Sequence, residues 1–160
     1  MTPTIRRFQK DCRGATVAEF ALLLPVIGLM LFGIIKFGIV YNNYLALTSS
    51  VANAERQFAV SRTTTTPVSS ALTIITSGSP TLNSSKLTVN FYIGSTSCSG
   101  SMYANASATS ADTNCTNSLK SASGSSSQMT ASYPCDLSIA GINFGGSNCT
   151  LTAQASERVE

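Results

Sequence analysis

The sequence has no His and no Trp, and charged residues make up only 11% of it. A soluble globular chain usually carries about a quarter. Without His there is no Ser-His or Cys-His nucleophile pair and no imidazole ligand for a metal, which excludes the commonest catalytic constellations. Acids are sparse as well. Asp112, Asp136 and Glu157 stand far apart and read as solvated surface groups with no paired site among them. Ten Lys/Arg against seven Asp/Glu leave a net charge of +3, and beyond residue 13 the cations form no stripe that tracks a phosphate backbone. These absences argue against an enzyme, a cofactor, a bound metal and a nucleic-acid partner. A chain of 160 residues has room for one small domain and one special segment.

What is present is sorted along the chain. Residues 1–14 form a basic segment, with Arg6, Arg7, Lys10 and Arg13 against Asp11. From Phe20 to Ile35 there is no charge at all, and after Lys36 the apolar character resumes as far as Tyr41. As a helix, residues 20–41 extend about 33 Å, enough to cross a hydrocarbon core of about 30 Å. Lys36 sits near the outer end, where its ammonium can snorkel to the interface beside Tyr41 and Tyr44. Cations before the span and few just after it orient the N-terminus to the cytoplasm. One inside-to-outside span is expected.

The helical pattern continues beyond the membrane. Phe37, Val40, Tyr44, Leu47, Val51, Ala54 and Phe58 recur at steps of three and four, with Asn42, Asn43, Ser49, Ser50, Asn53, Glu55 and Gln57 between them. The expectation is one helix over residues 15–61, on the order of 70 Å long, membrane-spanning over 20–41 and amphipathic after it. Its stripe packs on the following domain or on neighbouring subunits.

Residues 62–160 change character, and more than a third of them are Ser or Thr. Lys86–Ile93 alternates as a strand does, and Cys149, Leu151, Ala153 and Ala155 alternate again. Leu72–Thr76 and Leu137–Phe144, the latter broken by Gly141, are weaker strand candidates. Between Ser95 and Ser132 there is almost no periodicity, a composition poorly suited to a packed core. The fold class is therefore α+β: a long N-terminal transmembrane helix packed on a small antiparallel β-sheet head with disulfide-closed loops. Cys98, Cys115, Cys135 and Cys149 all fall in that head, which is too small to be secure on burial alone. In an oxidising compartment they would make two disulfides, each worth about 2–4 kcal/mol. Three pairings are possible, and sequential closure (Cys98–Cys115 and Cys135–Cys149) is favoured because it needs the shortest chain excursions. No two of these cysteines have zinc-site C-x₂₋₄-C spacing. Cys12, in the cytoplasmic segment, is expected to stay a thiol.

The most specific signal is the junction Arg13-Gly14-Ala15-Thr16-Val17-Ala18-Glu19-Phe20. A carboxylate at the mouth of an apolar helix needs a reason, since a charge at bilayer depth costs a few kcal/mol or more. One reason is an interfacial site near a helix N-terminus, whose dipole favours an anion. Another is cleavage after Gly14, which turns Ala15 into a cationic N-terminus and Glu19 into its partner on a neighbouring subunit. A plain signal peptide fits less well, because no convincing A-x-A site follows the apolar run.

Residues 13–56 resemble the TadE-like family, the minor pseudopilins of the tight-adherence (Flp) branch of type IV pili. The shared pattern is Arg13-Gly14, Val17-Ala18-Glu19-Phe20-Ala21-Leu22, Leu24-Pro25, Phe32-Gly33-Ile34-Ile35 and Phe37-Gly38, followed by Val51-Ala52-Asn53-Ala54-Glu55-Arg56. Family members often carry an acid where this chain has Lys36. The resemblance implies a prepilin cut between Gly14 and Ala15 by a prepilin peptidase, with Glu19 and Phe20 as the pair used in N-terminal assembly. It also implies the major pilin, other minor pilins and an inner-membrane assembly platform as partners. The implied location is a bacterial inner membrane, N-terminus cytoplasmic, and then the periplasm or an extracellular pilus. A head of this size points to a minor subunit that serves assembly, capping or surface adhesion. The alternative is a bitopic, membrane-anchored binding module whose leader is not cleaved.

Overall fold

The structure is a computed structural model. It describes residues 13–139, 141–143 and 149–160, and for 13–16, 142 and 143 only the backbone. The basic segment with Arg6, Arg7, Lys10 and Cys12, and the stretch from Phe144 to Asn148, lie outside the described residues.

Helix α1 runs without a break over Arg13–Ala59, 47 residues with Pro25 inside. It closes where Ser61 N–H donates to the Phe58 carbonyl at 3.0 Å, just before the Thr63–Thr66 run that cannot continue the apolar face. Pro67 then opens α2, Pro67–Gly78, at the position where its missing N–H costs nothing. Here the strand expected over Leu72–Thr76 is corrected. Val68, Ala71, Leu72 and Ile75 are buried, a spacing of i, i+3, i+4, i+7, and that helical period overrides the β-branched run Thr73-Ile74-Ile75-Thr76. Gly78 lets α2 lie close on α1, since a Cβ there would stand 2.9 Å from the Ser50 Cβ.

The sheet begins with β1, Thr88–Ile93, which turns at Gly94 (φ +62°) into β2, Thr96–Ser97. The short β3, Met102–Tyr103, pairs with the other end of β1. After α3, Thr109–Ser121, come β4, Ser126–Pro134, the hairpin of β5, Ser138–Ile139, and β6, Ile142–Asn143, and finally β7, Thr150–Arg158. The main sheet has the order β2-β1-β4-β7, with β1, β4 and β7 antiparallel neighbours. The segment 95–132 is thus more ordered than its composition suggests. Its buried positions include Ala111, Asp112, Cys115, Thr116 and Leu119 on α3 and Ser127, Met129 and Ala131 on β4. They do follow helical and strand periods, but apart from Leu119 and Met129 in small or polar residues that give little hydropathic contrast.

The core lies between the sheet and the last four turns of α1. Leu47, Val51, Ala54 and Phe58 of α1 meet Leu87, Val89 and Phe91, Met129 and Ala131, and Ala153. The Phe58 and Phe91 rings are 5.0 Å apart and tilted by 46°. Both disulfides form in the sequential pairing, Cys98–Cys115 tying the β2–β3 loop to α3 and Cys135–Cys149 closing the base of the β5–β6 hairpin.

Candidate functional site

Among the described residues, the first half of α1 is almost bare of protein, touched by the head only near Gly33 and Lys36. Val17, Phe20 and nearly every large apolar side chain from Leu22 to Leu45 are exposed, and this part of the helix is long and apolar enough to cross a membrane. Bare apolar surface on this scale marks a membrane or a partner. Gly14, Ala15, Glu19 and Phe20 stand on the first two turns of α1, with Glu19 and Phe20 outward-facing. Gly28 and Gly38 have open space above them, while Gly33 has one neighbour, Ile139 Cδ1 of the hairpin, at 3.9 Å from where a Cβ would be.

The hairpin therefore reaches back along the helix to the level of Gly33, and a cleft of about 340 Å³ opens just above that contact. Lys36, Ile39, Val40 and Asn43 form its helical wall, and Lys86, Tyr133, Asp136 and Leu151 line it from the head. Asp136 Oδ1 accepts a hydrogen bond from Ser138 N–H at 2.9 Å. Bonds from Ser138, and then the Lys36 and Lys86 charges, hold its carboxyl below the ordinary carboxylate range.

Of the other scattered acids, Asp112 has a structural task. It is buried on α3 and caps α2 from outside that helix, with Oδ1 accepting from Val68 N–H at 2.7 Å and Ser69 N–H at 3.0 Å. Those are orphan donors of a helix N-terminus, which a carboxylate satisfies well. Arg62 does the converse for α3, donating to the carbonyls of Leu119 and Lys120 and of Glu160. Glu157 pairs with Arg56 at 3.3 Å on the surface.

Glu55 is the residue that sequence reasoning misplaced. Expected on the polar side of the helix, it is fully buried, and neither carboxylate oxygen has a hydrogen-bond partner. The Ser127 hydroxyl on β4 favours its charged form but donates to the Glu157 carbonyl at 3.2 Å. Burial, with a smaller push from the Glu157 charge, raises the Glu55 carboxyl from 4.5 to about 7. A signal was available: Leu47, Val51, Glu55 and Ala59 form one i, i+4 ridge, and all four are buried. The buried face is wider than the single stripe Val51, Ala54, Phe58. Among the described residues no group of three or more His, Cys, Asp or Glu is arranged to hold a metal ion.

The model of the TadE-like protein family matches residues 14–56, which is consistent with a TadE-like protein of the tight-adherence system. The matched segment is almost the whole of α1, the bare half and most of the half buried in the head. No curated protein and no solved structure matches the chain.

Proposed function

We propose that this chain is a minor pilin or pseudopilin subunit of a tight-adherence pilus. The TadE-like family is a structural one, and a match to it suggests a pilin-like protein associated with such a pilus. The observation that carries the reading is the division of α1: one continuous helix is bare where it would meet lipid or other subunits and buried where it holds its own head. In this reading the chain sits in the inner membrane with its N-terminus in the cytoplasm, and a prepilin peptidase cuts between Gly14 and Ala15. Removal of the leader takes away Arg6, Arg7, Lys10 and Arg13 with Asp11 and leaves the mature chain formally neutral. Neutral copies do not repel one another in a filament. Glu19 then pairs with the new amine of a neighbouring subunit, Phe20 packs beside it, and the assembly platform lifts the helix out of the membrane to join the major pilin. The head serves assembly, capping or adhesion.

The test is the intact mass and N-terminal sequence of the membrane-extracted protein, expressed with and without the matching peptidase. A mature chain starting at Ala15 only when the peptidase is present supports the reading. A chain starting at Met1 in both samples sinks it and leaves a bitopic anchor carrying a disulfide-stapled head.

A further inference from the structure

The geometry points to a binding site for the headgroup of an anionic glycerophospholipid in the cleft between α1 and the end of β4 with the turn that follows it, with Lys36 and Lys86 as its cationic contacts. The inference rests on α1 crossing a membrane, and it does not depend on cleavage of the leader.

Depth is the first argument. With Glu19 at the inner edge and about 1.5 Å per residue, a hydrocarbon core of about 30 Å ends close to residue 39. The helical wall of the cleft, Lys36, Ile39, Val40 and Asn43, brackets that boundary, with lipid phosphates lying just beyond it. Charge is the second. Two lysines from separate parts of the chain, one on α1 and one just before β1, face one opening with a single acid between them. That acid, Asp136, offsets one of the two lysines, so the cleft keeps an excess of one positive charge. Shape is the third. Ile39, Val40 and Leu151 give the cleft apolar walls, and Leu31 and Ile35, further down α1 toward the membrane, are exposed for acyl chains to lie against. Asn43 and Tyr133 add polar groups for the glycerol or phosphodiester oxygens. A lysine inside an apolar span is costly alone, and a lipid phosphate would supply the counter-charge that Asp136 supplies only in part.

Full-length protein reconstituted in phosphatidylcholine vesicles with phosphatidylglycerol as the minority lipid would be washed with carbonate, extracted in mild detergent and weighed by native mass spectrometry. The expected result is phosphatidylglycerol retained on the wild type in preference to phosphatidylcholine. In the K36Q/K86Q double variant, retention should fall at least about tenfold, as two lysines at an anionic surface imply. D136N should increase retention. An unchanged melting temperature of the head would show that the double variant is folded, since Lys86 is exposed and Lys36 faces the cleft. Equal retention of phosphatidylglycerol by wild type and double variant would overturn the proposal. So would displacement of the lipid by millimolar inorganic phosphate, which would mark a general anion site. Release of the wild type by carbonate would overturn the membrane reading and the proposal with it. Retention in the membrane without lipid preference would overturn the proposal alone.

Discussion

The two halves of α1 are one helix in two settings, one bare and one packed in the head. Below about residue 45 nearly all its large apolar side chains are exposed, and from Leu47 to Ala59 they are buried on one broad face against α2 and the sheet. The chemistry of the side chains hardly differs between Phe32, 63% exposed, and Phe58, fully buried. What differs is the periodicity. Residues that are apolar all round leave a folding head no reason to choose one face, so the segment stays free for lipid or for other helices. Once Asn, Ser and Gln interrupt the run, one face is marked, and the head closes on it.

That contrast predicts the largest effect. F58A removes a ring packed 5.0 Å from Phe91 at the centre of the core and should destabilise the head by about 3–5 kcal/mol in urea unfolding. F32A removes the same ring from the bare half and should leave the urea midpoint of the head unchanged in detergent. Equal effects of the two variants would mean that the bare half is also a structural part of the head.

A smaller effect is expected from the acidic residue on the buried face of α1. Folded Glu55 keeps its proton up to about 7, whereas the unfolded chain releases it near 4.5. Between those values the folded state binds more protons, so stability is greatest below about 4.5 and declines as the pH rises toward 7. The decline is on the order of 3 kcal/mol from this group alone. Melting temperature measured between about pH 5 and pH 8 should fall with rising pH in the wild type and much less in E55Q. E55Q should be the more stable of the two at the upper end. A flat wild-type profile would mean that Glu55 finds a partner or water when ionised.

Glu55 also marks the limit of what could be read from the sequence. The span, the division of the helix, the strands at Lys86–Ile93 and after Cys149, and the cysteine pairing all rest on strong local contrast: long apolar runs, strict alternation, or few possible closures. The strand expected at Leu72–Thr76 failed because β-branched residues outweighed a short helical period in the reading, whereas packing on α1 decided the matter in the fold. Helix α3 and β4 were not legible because their buried faces are built mostly from Ala, Ser, Thr, Cys and Asp, with Leu119 and Met129 the large apolar members. The cleft was beyond reach, since it needs Lys36 on α1 and Lys86 just before β1 brought to one opening by the packing of the head on α1, which no spacing reveals.

The smallest effect sharpens the same contrast between inside and outside. Arg56 and Glu157 form an ion pair at 3.3 Å, but their side chains are 72% and 42% exposed. Water screens such a pair, and ordering two long side chains offsets much of the attraction, so R56A should change stability by no more than about 1 kcal/mol. Glu157 acts inward as well, because its charge helps to keep Glu55 protonated. E157Q removes that charge, so the pH at which the wild-type decline is centred should move down while the overall stability near neutral pH changes little. If E157Q left the centre of the decline where it was, burial alone would account for the protonation of Glu55, and the surface pair would be isolated from the core energetically as well as by position.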